Sequence, residues 1–138
     1  MKIFRIIIFL VISLNVAQAS TNFFTEGLTL YENKQLEKAK FKFEQDIVFN
    51  PKNEKSYLYL SKIFNLQDEK DLEEKNLMTV ILLNPKNEEA VFNLANLRLK
   101  ESDFKESEKL INQLLIFCKD YCQKSKKLKV EIEKSLKK

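Results

Sequence analysis

Asn50-Pro51-Lys52-Asn53-Glu54 recurs as Asn84-Pro85-Lys86-Asn87-Glu88, 34 residues further along the chain. Five identical residues at a fixed offset mark a repeated structural unit, and a repeat restricts the fold more than any local propensity does. Proline lacks an N–H and disfavours the α conformation in the residue before it, so each copy reads as the end of a helix. With each Pro near the end of its unit, the chain divides into residues 20–53, 54–87 and 88–121, followed by 122–138. Inside these units apolar residues keep helical spacing: Tyr57, Leu60, Ser61 and Phe64 in one, Val91, Leu94, Ala95 and the stem of Arg98 in the next. Leu110, Ile111, Leu114, Leu115 and Cys118 continue the pattern. It predicts helices over 20–33, 36–49, 54–66, 70–83, 88–100, 104–118 and 122–137. Short polar loops are expected at Asn33-Lys34-Gln35, Gln67-Asp68-Glu69 and Glu101-Ser102-Asp103.

Composition narrows the function classes. One Gly among 138 residues argues against sandwiches, barrels and Gly-rich phosphate loops. The absence of His removes the commonest general base and the commonest metal ligand. No Ser- or Cys-based nucleophile arrangement is evident either, so no enzyme, cofactor or metal centre is expected. At 44% hydrophobic and 32% charged residues the chain has enough apolar surface for a packed helical core.

The first unit resembles the tetratricopeptide repeat, a pair of antiparallel helices with this period. Phe23, Gly27, Tyr31 or Leu30, Ala39, Phe43 and Pro51 fall at its bulky, small and terminating positions. Tyr57, Leu60, Ser61, Phe64, Leu77 and Pro85 do so in the second unit, and Val91, Leu94, Ala95, Phe104 and Ile111 in the third, which lacks the Pro. The resemblance implies an α-solenoid of three helix-turn-helix units, with Cys122–Lys138 as a capping helix whose Leu128, Ile132 and Leu136 form a narrow apolar stripe. Two residues depart from it. Asp46 stands where the family has Ala between packed helices, which calls for a partly open site. Glu73 replaces another Ala, which a one-residue register shift placing Leu72 inward would accommodate.

Residues 1–19 read as a secretory signal peptide: Lys2 and Arg5, the apolar stretch from Ile6, then Ala17-Gln18-Ala19 before a cut ahead of Ser20. The apolar run is about 11 residues, against the ~20 a membrane-spanning helix needs. Periplasmic localisation is therefore expected. Lys2 and Arg5 are the segment's only charges, so the remainder carries two fewer positive charges than the whole chain's +4. Nucleic acid is not an expected partner, and the Lys-rich C-terminus reads as a solvated helix face. Cys118 and Cys122 are the only thiols, and in an exported chain such a pair tends to form a disulfide. Bridging so short a loop is worth about 2 kcal/mol in chain-entropy terms. Two free thiols are the alternative, and a helix running unbroken through both residues would hinder the bond.

The resemblance further implies that the first helix of each unit lines a concave groove for a protein or peptide partner. By position that groove presents Phe24, Leu28, Tyr31, Leu58, Lys62, Asn65, Phe92, Asn96 and Leu99. Aromatic and aliphatic anchors with amides suit an amphipathic helix or an extended apolar peptide. Lys62, Asn93 and Asn96 resemble part of the family's clamp for a C-terminal carboxylate. The expected function is a protein-interaction adaptor or scaffold of the bacterial cell envelope. The alternative is an accessory subunit of an envelope assembly complex, held at the membrane by an uncleaved N-terminus.

Overall fold

The computed structural model describes residues 23–137. The expected signal peptide lies outside the described residues. Among these, seven helices and no strand occur: α1 (23–32), α2 (Leu36–Phe49), α3 (Glu54–Leu66), α4 (Lys70–Leu83), α5 (Glu88–Lys100), α6 (Phe104–Phe117) and α7 (Cys122–Leu136). Helices α2 to α5 coincide with their expected spans. Helix α6 stops one residue early because Cys118 is extended, at φ −60° and ψ 150°. The described residues form two compact units, which divide within α3 between Leu60 and Ser61.

Two kinds of turn explain the period. The first joins α1 to α2, α3 to α4 and α5 to α6. Lys34, Asp68 and Ser102 sit there in the left-handed region, at φ 60°, 58° and 64°, each 34 residues from the last. At each, the following N–H reaches back five residues: Gln35 to the Leu30 carbonyl (2.9 Å), Glu69 to Phe64 (3.0 Å) and Asp103 to Arg98 (2.9 Å). This is the Schellman closure of a helix, here built three times without glycine. The left-handed conformation costs an L-residue about 1–2 kcal/mol, and glycine's greater freedom in the unfolded chain offsets part of the relief it would bring. Lys34→Gly is expected to raise the urea midpoint, by about 0.5 kcal/mol in stability; an unchanged or lower midpoint would contradict this.

The second turn is the recurring Asn-Pro-Lys-Asn. Asn50 N–H donates to the Asp46 carbonyl (2.7 Å) and Asn53 N–H to the Asn50 carbonyl (2.9 Å); Asn84 and Asn87 repeat both bonds at 2.8 and 3.0 Å. Asn87 then caps α5, its side-chain oxygen accepting from Ala90 N–H at 3.0 Å. The third junction has no Pro. Cys118 and Cys122 occupy the places of the first Asn and the Glu of the repeated motif, and they are joined by a disulfide.

In the first unit, α1 meets α2 at Gly27, where an added Cβ would lie 2.8 Å from the buried Phe43 ring. Ala39 and Phe43 are fully buried. So is Asp46, which corrects the expectation of an open site. Its carboxylate accepts from Asn50 Nδ2 (3.1 Å), Asn53 Nδ2 (2.6 Å) and Ser56 Oγ (2.5 Å). Three donors replace the water that burial removed.

In the second unit α5 packs on α4 and α6, and α7 packs on α6 and α5. Leu77, Val80, Val91, Leu97, Ile111, Leu114 and Ile132 fill the core. Helices α5 and α6 approach closely at Ala95 and Ser107, whose Oγ donates to the Ala95 carbonyl at 2.7 Å. The expected register shift in α4 does not occur. Glu73 is buried at 5% exposure and Leu72 is 40% exposed. Asn65 Nδ2 donates to both Glu73 carboxylate oxygens at 2.9 Å, which is what lets the carboxylate face inward.

Candidate functional site

The nine residues expected on the first-helix faces recur at the repeat's own spacing. Phe24, Leu58 and Phe92 share one position, Leu28, Lys62 and Asn96 a second, Tyr31, Asn65 and Leu99 a third. The structure places them as follows in each unit.

In the first unit, Phe24, Leu28 and Tyr31 lie on α1, all half-buried, while Leu58 of α3 is 8% exposed and belongs to the core. The aromatic residues gather around Tyr59, which sequence reasoning missed. Tyr59 stacks on Phe43 (centroids 5.2 Å apart) and meets Tyr31 and Phe24 edge-on at 5.1 and 6.0 Å. Such pairs are worth about 0.5–1.5 kcal/mol each beyond their burial. Tyr31 thus serves packing as well as surface. The signal for Tyr59 was the alternation Tyr57-Leu58-Tyr59 on a helix, which puts one ring on each side of the buried leucine.

In the second unit, Lys62 and Asn65 lie on the end of α3, and Phe92, Asn96 and Leu99 are half-buried along α5. Lys62 Nζ is 2.9 Å from Glu89 Oε1. Asn65 donates to Glu73, as described. The Phe92 ring lies against Tyr121, with centroids 5.4 Å apart, and Lys124 Nζ sits 4.6 Å from the centroid of the Tyr121 ring. Burial, together with the hydrogen-bonded Glu89 carboxylate, pushes the Tyr121 hydroxyl up to about 12. Lys62, Glu89 and Tyr121 therefore form a continuous polar chain across α3, α5 and the 118–121 loop. A Lys62 engaged by Glu89 also differs from the cation of a carboxylate clamp.

Glu88, at the start of α5, anchors that loop. Its carboxylate accepts backbone N–H bonds from Lys119 (2.7 Å), Asp120 (2.9 Å) and Tyr121 (2.9 Å). These bonds, the Tyr121 one foremost, hold the Glu88 carboxyl below its usual range, whereas burial raises that of Glu73 despite the Asn65 amide. The two act oppositely on stability. A depressed carboxyl contributes stability above its unfolded value of 4.5, and loses it as pH falls through the folded value. A raised carboxyl costs stability above its folded value and less as pH falls. Glu88→Gln is expected to unfold at lower urea than the parent at pH 7, with the gap closing in acid well below pH 4.5. A gap that persists unchanged in acid would exclude the charged clasp.

Among the described residues there is no group of three or more His, Cys, Asp or Glu placed to hold a metal, and no helix long and apolar enough to cross a membrane. A separate depression of ≈ 680 Å³ in the second unit is lined by Glu74, Met78, Ile81, Leu82, Leu94 and Leu110 among others. Its wall is mostly apolar, with Asp71, Glu74, Lys75 and Thr79 also in the lining, and Glu74 is tied to Arg98, which also pairs with Glu101 (2.9 Å).

No family model and no curated protein matches the chain. Solved structures do. The first tetratricopeptide domain of Spaghetti (RPAP3), bound to the HSP90 peptide SRMEEVD, aligns at TM-score 0.78 and 12% identity, over 88% of this chain and 95% of that one. The Arabidopsis OM64 tetratricopeptide domain aligns at 0.72 and 20%, over 83% and 96%. The Yersinia enterocolitica type III secretion chaperone SycD, in complex with a peptide of the translocator YopD, aligns at 0.70 and 15%, over 87% and 91%. At such identities the likeness is one of fold: the chain is an all-α array of tetratricopeptide helical hairpins.

Proposed function

We propose that the chain is a non-enzymatic adaptor of the bacterial cell envelope that captures a segment of a partner protein on the first-helix faces of its hairpins. The observation that carries this reading is the half-buried face of α5, where Phe92, Asn96 and Leu99 offer a ring, an amide and an aliphatic anchor in successive turns. Rings and aliphatic groups seat apolar side chains of a bound segment, and the amide takes its backbone groups. Two structural neighbours of the same fold were solved with peptides, from HSP90 and from YopD. Because Lys62 already pairs with Glu89, recognition here rests on an internal apolar or amphipathic stretch, and a partner's terminal carboxylate contributes little. Residues 1–19 are proposed to direct export to the periplasm.

Affinity capture from envelope extract tests both parts. The parent is expected to retain a specific partner. Phe92→Ala is expected to bind it roughly thirtyfold more weakly, as losing an anchor worth about 2 kcal/mol would require. Equal capture by both would remove the face from the mechanism. Mass determination of the native protein addresses export. A chain beginning at Ser20 supports a free periplasmic adaptor, and an intact Met1 in the membrane fraction supports the anchored accessory subunit instead.

A further inference from the structure

The loop between α6 and α7 is ordered by different means from its two counterparts. At those, Pro stops one helix, and an Asn side chain caps the next in the second copy. Here neither is present. Tyr121 stands at the N-cap of α7 without a side-chain cap bond, and the first turn of α7 holds no acidic residue. Two features remain: the Cys118–Cys122 disulfide, and the Glu88 carboxylate gripping the N–H groups of residues 119–121. A carboxylate can accept three successive N–H groups only while the backbone is curled around it, and the covalent ring imposes that curl. The curl in turn carries Tyr121 onto Phe92.

The sulfurs are suited to exchange. Both cysteines are half-buried, with exposed Lys119 and Asp120 between them in the chain and exposed Gln123 and Lys124 following, so a small dithiol can reach them. Cys122 is the first residue of a 15-residue helix, whose N-terminal N–H groups stabilise a thiolate there. That makes Cys122 the favoured leaving group when Cys118 Sγ is attacked. Helix α7 itself is held by Leu128 and Ile132, buried well away from the loop, so opening the ring need not release the helix.

We infer that Cys118 and Cys122 are a reversible thiol–disulfide modification site whose oxidised form latches Tyr121 over Phe92 and whose reduced form frees that ring. In the forward step one thiolate of a dithiol attacks Cys118 Sγ, the S–S bond breaks, and Cys122 leaves as a thiolate that takes up a proton. The second thiol of the reductant then displaces Cys118, which is protonated in turn. Two electrons pass to the protein, and the reductant becomes a disulfide. A disulfide donor of the same class reverses the process. The inference concerns the loop and holds whether or not α5 is where a partner binds.

Hydrogen exchange on the isotopically labelled protein, oxidised and then reduced with dithiothreitol at neutral pH, tests it. Reduction is confirmed by a mass gain of two hydrogens, and binding plays no part in the readout. On reduction the amides of Lys119, Asp120 and Tyr121 are expected to exchange at least tenfold faster, and the proton contacts between the Phe92 and Tyr121 rings to vanish. Amides of α5 are expected to keep their protection, and re-oxidation to restore the loop. The double variant Cys118→Ser/Cys122→Ser is expected to match the reduced protein. Unchanged exchange at 119–121 after reduction would overturn the latch. So would a general loss of protection through α5 to α7, which would make the bond a staple of the whole unit, or a bond that dithiothreitol cannot open.

Discussion

Gly27→Leu is expected to unfold the first unit, at a cost of about 3 kcal/mol or more. The reason is distance. Even a bare Cβ at Gly27 would stand 2.8 Å from Cε1 and 2.9 Å from Cδ1 of Phe43. Phe43 has nowhere to retreat, being fully buried and stacked on Tyr59. The same helix-crossing position is held by Ser61 and Ala95 in the other hairpins, both small. Gly27→Ala is expected to fall between parent and leucine, because alanine's clash is partly offset by about 1 kcal/mol of helix propensity. Urea unfolding followed by circular dichroism measures the series. A leucine variant that melts with the parent would show that α1 and α2 do not cross at this residue.

Asp46→Val is expected to lose about 3 kcal/mol, since a buried hydroxyl and two amides lose a charged acceptor at once. The chain supplies its own control. Thirty-four residues on, Val80 and Ala90 occupy the places of Asp46 and Ser56, and both are fully buried. The second junction keeps the backbone bonds of its Asn84 and Asn87 turn with Val80 in the place of Asp46. Asp46→Val/Ser56→Ala is therefore expected to recover to within about 1 kcal/mol of the parent, a strongly non-additive cycle. A double variant as unstable as the sum of its parts would mean that the Asn50 and Asn53 amides, and not Ser56, carry the dependence on Asp46.

Helix spans were legible because their stop signals are local. The repeated Asn-Pro-Lys-Asn and the spacing of Leu94, Ala95 and their like need no knowledge of the rest of the fold. Polar burial was not legible in the same way. Glu73 reads as misplaced until Asn65, eight residues earlier on another helix, turns out to hold both of its oxygens. Asp46 reads as a partly open site until Asn50 and Asn53 of the turn that follows it, with Ser56 of α3, supply three donors. The face on α5 was found by position, yet its neighbour Tyr121 was not. Tyr121 lies far along the chain from Phe92 and belongs to no helix, so periodicity cannot assign it a side. The disulfide was anticipated from the two cysteines. The clasp of Glu88 on the loop they close was not, because a surface glutamate opening a helix already has an ordinary reason to be there.

Lys34, Asp68 and Ser102 share one backbone conformation and no side-chain chemistry. What recurs in this protein is therefore written in torsion angles more than in letters. A lineage built on that kind of regularity can exchange most of its residues without disturbing its architecture. The same helical arrangement is carried at 12 to 20% identity by the solved structures that superpose on this chain.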